Sequence, residues 1–285
     1  MSLISDRDFR FRLTALLLSL WILLPAHSQD RPVLSAFTVG LGSSHLADTY
    51  LTPLKYEGWS LGAGYERMQA FKSSPEEWIT RLYVTAELNR AVNPAGNARM
   101  WAFDLSASWG FIRRYTLPYG IKVGIGPAAT IQGGCLYNNR NSNNPASAKA
   151  AATLDVTGFA AWNTRIGSLP VTLRYQPSLP VVGAFFSPCY DELYFEIYMG
   201  NRHGLVHPAW WGNRFELDQL VTLDLHLGSS SLRLGYDCEW MSSRVSNLTT
   251  RIITHRFVIG WTSEWMSSGK KGNATDRSHI ISAMY

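Results

Sequence analysis

His203 and His207, four residues apart, stand in the most chemically dense stretch of the chain, Asn201-Arg202-His203-Gly204 through Asn213-Arg214, with Glu216 and Asp218 close behind. Imidazoles and carboxylates gathered this way invite a metal site or a hydrolytic centre. Two histidines at this spacing meet one ion when they share a helix face, and Gly204 and Pro208 argue against a helix. No metal and no cofactor are expected. A lipid hydrolase embedded in a barrel needs a nucleophile beside its base. His203 is followed by Gly204 and Leu205, and His207 by Pro208 and Ala209, so neither brings a hydroxyl with it. His203, His207, Asn213 and Arg214 are the catalytic candidates on offer. The preferred reading is a structured loop whose Trp210 and Trp211 sit in a membrane interface or pack across a barrel mouth.

A second set of ionisable residues is more regular. From 215 to 227, Phe215, Leu217, Val221, Leu223, Leu225 and Leu227 share one parity, and Glu216, Asp218, Thr222, Asp224 and His226 share the other. After a short Gly/Ser link at 228–231 the pattern returns. Leu232, Leu234, Tyr236, Cys238 and Trp240 alternate with Arg233, Gly235, Asp237 and Glu239. Period two means β-strands, and the short link means a hairpin. One face suits hydrocarbon while the other carries charge, as in a transmembrane barrel strand.

The same alternation runs through 33–42, 58–68, 78–88, 99–111, 119–131, 151–163, 171–176 and 251–265. The links between strands alternate long and short, as they do between the two ends of an outer-membrane barrel. The expected fold is all-β: a transmembrane antiparallel barrel of about ten strands, or about twelve if 190–199, which holds the strand-like 193–199, and one more segment also span. Residues 177–212 are the least regular part, and Gly133–148 reads as a long loop. On the polar parity lie Glu66, Arg81, Glu87, Asp104, Lys122, Asp155, Arg174, Glu216, Asp218, Asp224, Arg233, Asp237, Arg256 and Glu264. With mixed signs they point to a salt-bridged plug rather than a selective pore, which favours one dominant sign.

Alternation alone does not say which face turns inward, since a lipocalin-like soluble barrel would bury the apolar parity. Three features favour the membrane. Tryptophans gather near strand ends on the apolar parity (Trp59, Trp78, Trp101, Trp109, Trp240, Trp261, Trp265), as interfacial belts require. The polar parity mixes Gly with Glu, Asp and Arg and holds almost no Lys. The N-terminus reads as a secretory signal, with Arg7, Arg10 and Arg12 before an apolar run at 13–24 and Ala26-His27-Ser28 at the cleavage point. The expected organisation is a signal peptide at 1–28 and one barrel domain at 29–285 with a polar tail at 267–285.

Composition agrees with this. Charged residues are 16% of the chain and aromatics 13%, with a net charge of +5 that is scattered rather than clustered. A nucleic-acid partner would need a basic stripe and is not expected. Gly40-Leu41-Gly42 and Gly62-Ala63-Gly64 lie in strands, so no phosphate loop is present. Cys135, Cys189 and Cys238 show no metal spacing. Cys238 sits on the apolar parity. Cys135 and Cys189 fall in expected loops and could pair in an oxidising envelope.

Several runs carry a resemblance. Tyr50-Leu51-Thr52-Pro53-Leu54-Lys55-Tyr56-Glu57-Gly58, Gly200-Asn201-Arg202-His203-Gly204, Gly212-Asn213-Arg214-Phe215 and Leu232-Arg233-Leu234-Gly235-Tyr236 look like a domain-of-unknown-function family of Bacteroidetes outer-membrane β-barrel proteins. The resemblance spans nearly all of the mature chain and implies a barrel with no assigned activity and no functional residues to carry over. Trp211-Gly212-Asn213-Arg214 is also similar to the Trp-Asn-Arg neighbourhood of barrel phospholipases, without their nucleophile. The expected protein is therefore an outer-membrane barrel of structural or interaction role. A small-solute or ion channel and a lipid hydrolase using 201–214 are the alternatives. Its expected partners are outer-membrane lipid and the secretion and barrel-assembly machinery.

Overall fold

A computed structural model describes residues 31–189, 194–200, 204–228, 230–265 and 283. Within them the chain forms a closed antiparallel barrel of ten strands. These are β1 (Val33–Asp48), β2 (Tyr56–Ala70), β3 (Trp78–Val92), β4 (Arg99–Thr116), β5 (Ile121–Asn138), β6 (Ala146–Ile166), β7 (Leu169–Phe186), β9 (Arg214–His226), β10 (Ser230–Val245) and β11 (Leu248–Trp265). A short β8 (Val206–Ala209) pairs only with the end of β7 and adds no stave. Each stave pairs with its sequence neighbour, β7 pairs with β9, and β1 closes the ring against β11 from Val33↔Trp265 to Asp48↔Thr250. Closure pairs the staves around the whole ring, the condition for crossing hydrocarbon with strands; between β7 and β9 the pairing runs from Val171↔Leu225 to Ser178↔Asp218.

The burial pattern decides which face is inside. Phe37, Val39, Leu41, Leu105, Trp109, Ile131, Leu154, Phe257 and Ile259 are exposed on the outer wall, while Glu66, Arg174, Asp224, Arg233 and Arg256 are buried within. An apolar exterior around a charged interior is a soluble barrel turned inside out, so the barrel spans a membrane. Aromatic residues gather near both rims. Trp59 packs edge-on to Trp101 at one rim, and Trp78 stacks on Phe111 at the other.

The ten-strand expectation agrees with this architecture, but several boundaries move. The strands are longer than the alternation indicates: β1 runs to Asp48 and β5 to Asn138, so Cys135 lies in a strand and not in a loop. Small inward residues such as Ser44 and Gly134 blur the pattern there. Of the strand-like segment 193–199, residue 193 lies outside the described residues, and Tyr194–Tyr198 is a five-residue helix, α1, in the β7–β8 connection rather than a strand. The seventh strand extends far beyond 176. The register slips between Leu154 and Asp155 of β6, opposite Val182 and Pro180, leaving Val181 as a bulge. One extra residue reverses the parity, so Arg174 and Gln176 point inward before it and Phe185 after it. That reversal, with Pro177 and Pro180 in the strand, made 177–186 look irregular. Between β10 and β11 the link is only Ser246 and Asn247, both with positive φ (46° and 66°), the two-residue hairpin conformation that Asn tolerates.

Two apolar layers close the interior. At the end where β1 begins and β11 finishes, the turn end, Leu34, Met68, Ile79, Ile112, Phe159, Ala161 and Ala283 form a buried cluster. The Arg114 guanidinium there donates to the carbonyls of Pro75, Glu76 and Ala283. At the opposite, loop end, Leu46, Leu51, Tyr56, Ala91, Ala98, Met100, Ala102 and Leu136 form a second cluster. Tyr194 of α1 stacks edge-on against Tyr50, and its hydroxyl accepts a hydrogen bond from the Ala148 amide, which draws the long connection across that mouth.

Candidate functional site: the charged interior

Between the apolar layers, the polar parity of the strands places its charges at two levels. Nearer the turn end, Glu66 of β2 is the hub. Its carboxylate accepts from Arg81 Nε at 2.7 Å, Arg174 Nη2 at 2.9 Å, Arg233 Nη1 at 3.0 Å and the Gln176 amide at 2.7 Å. Arg233 also grips Asp224 with two parallel bonds, Nε to Oδ1 at 2.7 Å and Nη2 to Oδ2 at 2.9 Å. This fork geometry is the strong form of the arginine–carboxylate pair. Arg174 and Arg233 are each only 1% exposed. Two carboxylates therefore face three guanidiniums, and each guanidinium has a partner.

Nearer the loop end the balance inverts. Among the described residues, Glu87, Asp104, Asp155, Glu216, Asp218, Asp237 and Glu239 line this level and share Arg214 and Arg256. Arg256 Nη2 lies 2.5 Å from Glu87, 2.7 Å from Asp237 and 3.6 Å from Glu239. Arg214 Nη2 bonds Glu216 at 2.5 Å and Gln132 at 2.6 Å. Asp155 is held by hydroxyls, those of Thr153 and Thr130. Asp104 accepts from Gln132. Room for Arg256 comes from glycines on the adjoining staves β1 and β2. A Cβ on Gly62 would meet the Arg256 Cδ and Nη1 at 3.2 Å, which accounts for glycine among the charges of the polar parity.

A model of the family described as "Protein of unknown function (DUF3316)" matches residues 10–271. The chain belongs to this family. The match bears out the resemblance read from the short motifs, at the level of an uncharacterised family. Curated proteins give no match. Among solved structures the chain is similar to the translocator domain of the autotransporter NalP from Neisseria meningitidis, at 9% identity and TM-score 0.35, covering 92% of this chain and 98% of that one. It is also similar to the β-domain of the Bordetella autotransporter BrkA, at 11% identity and TM-score 0.40, covering 83% and 100%. An outer-membrane channel from Pseudomonas putida F1 aligns at 6% identity and TM-score 0.34, covering 85% and 99%. These likenesses are loose, and the fold assignment rests on the strand pairing of the chain itself.

In this DUF3316 chain the residues expected in the polar network are mostly brought together. Lys122 and Glu264 stand apart from both charged levels, at the turn-end ends of β5 and β11. The period-two reading missed Arg214, assigned to a loop; Glu239, on the right parity but left out; Gln132 and Gln176, uncharged and so not sought; and the buried Asp48–Lys149 pair, 2.8 Å apart. The catalytic candidates of 201–214 are scattered instead. His203 lies outside the described residues. His207 Nε2 hydrogen-bonds the Ser187 carbonyl, Asn213 ties a turn through Pro208 and Trp210, and Arg214 points into the barrel. Cys135 and Cys189 are not joined in a disulfide. With Cys135 in β5 and exposed on its wall, its Cβ is committed to that face.

Proposed function

We propose that the protein is an outer-membrane barrel with a closed interior, acting as a structural or interaction protein through its loop-end surface and not as an open pore. The observation that carries this reading is the stacking of the interior: an apolar layer, two cross-linked charged levels and a second apolar layer. Side chains can fill a barrel of this size, and here both apolar layers stand in the path of an ion. The loop end offers a contact surface, with Phe195, Tyr198, Met199 and Trp210 exposed on the long β7–β9 connection. Residues 1–28 serve as a cleaved export signal, after which the barrel-assembly machinery inserts the chain among outer-membrane lipid, in a cell of the Bacteroidetes type by motif resemblance. The short links then face the periplasm and the long connection the exterior.

Planar-bilayer recording of the purified barrel tests the reading. No unitary current above the lipid background is expected; reproducible open-channel steps would overturn it in favour of a small-solute or ion channel. Detergent-dependent extraction, a heat-modifiable gel shift and an N-terminus at Gln29 check the placement. The hydrolase alternative predicts lipid turnover that His207→Ala abolishes.

A further inference from the structure

The loop-end level carries more negative charge than its two arginines can balance, and the excess is concentrated. Asp218 of β9 and Glu239 of β10 are directly opposite each other in register. Like charges in that relation repel. Glu216 joins them, and one carboxylate oxygen from each of the three lies within 4.8 Å of the others. Arg214 bonds the other oxygen of Glu216 than the one nearest Gln132, and Arg256 stands 3.6 Å from Glu239, so neither guanidinium separates Asp218 from Glu239. Asp218 Oδ1 is shut off from solvent with no hydrogen-bond partner.

A second side chain points the same way. Gln176 is 3% exposed and lines the same cavity as the three carboxylates. Its amide nitrogen must face Glu66, because a carboxylate takes only donors, and this fixes the orientation of the amide. The carbonyl Oε1 is left buried without a donor. An unpartnered acceptor beside surplus carboxylates calls for something positive, and the other nearby cations are committed elsewhere: Arg81 lines the cavity but bonds Glu66, and Lys149 bonds Asp48. The cavity holds about 60 Å³, room for an ion and a coordinated water or two.

We propose that Glu216, Asp218 and Glu239 bind a hard divalent cation of the calcium class inside the barrel. The donors are all oxygen, with no imidazole or thiolate, which selects calcium-like over zinc-like ions. Oxygens up to 4.8 Å apart fit around one ion at the roughly 2.4 Å distance of calcium ligation. The Gln176 carbonyl and bound water complete the shell in this assignment. The ion clamps β9 to β10 and removes the repulsion between facing acids. The site is independent of whether the barrel conducts.

The test uses the full-length barrel in detergent micelles, stripped with a chelator and dialysed. Equilibrium dialysis with radioactive calcium is expected to show one ion per chain, and calcium is expected to raise the temperature of the heat-modifiable gel shift. The double variant Asp218→Asn/Glu239→Gln should keep the gel shift, and so the folded barrel, while its calcium affinity falls by at least about tenfold. If the double variant does not fold, the single Glu216→Gln, which leaves the facing pair in place, takes over with the same expected loss. Absence of stoichiometric binding by the folded wild type up to millimolar calcium overturns the proposal. So does equal binding by a folded variant.

Discussion

The two charged levels inside the barrel use the same residue types to opposite ends. Around Glu66, carboxylates are outnumbered by guanidiniums, and every charge is answered at 2.7–3.0 Å. Around Asp218, acids outnumber arginines, two acids face each other in register, and acceptor oxygens are left without donors. The first level is a cross-link: Glu66 of β2 ties β3, β7 and β10 across the barrel. The second is held together less completely by its own side chains. Burying a charge is costly unless it is paired. The first level meets that condition by itself, and the second needs a partner from solution.

The comparison breaks first at Glu66. Glu66→Gln leaves Arg81, Arg174 and Arg233 buried around a neutral group, and the expected cost is about 3–5 kcal/mol of stability. A lower urea midpoint for loss of the heat-modifiable form, in a fixed detergent or lipid, measures it. Next comes the wall that accommodates Arg256. Gly62→Leu drives a side chain into the Arg256 guanidinium, which is already 3.2 Å from the position of a Cβ, and should cost about 1–3 kcal/mol in the same assay. The smallest effect has the opposite sign. In chelator, Asp218→Asn removes one half of a facing like-charge pair and should stabilise the barrel by about 0.2–1 kcal/mol. Neutralising a carboxylate thus weakens one level and strengthens the other. A destabilised Asp218→Asn in chelator would mean that the two levels do not differ in kind.

Much of the fold was legible beforehand, and the reasons are local. Alternation in 215–227 and 232–240, broken at Gln219 and Leu220, needs only the pleat of a strand, so most side chains could be assigned to a face one by one. Val181 marks where that logic stops: a bulge shifts the parity by one, and no local signal besides the nearby prolines announces it. Segment 193–199 failed differently. Its apolar and aromatic residues suit a strand, but the connection leaves the sheet there and no neighbouring strand offers hydrogen bonds to Tyr194–Tyr198, so they turn into α1. The free Cys135 follows from the same cause, since a longer β5 carried it out of the loop in which it was expected.

By itself the amino-acid sequence determined the strands and their two faces, because period two is a property of single strands, and the tryptophan belts and the Lys-poor polar parity pointed that parity inward. It also supplied the inventory of interior charges. Only the tertiary structure decided which of those charges meet. Parity assigns a side chain to a face but not to a height or an across-barrel neighbour, and Glu66 and Arg233, 167 residues apart, touch only once the ring has closed. A mixture of signs that looked balanced along the chain is thereby sorted into a fully paired level and an acidic one.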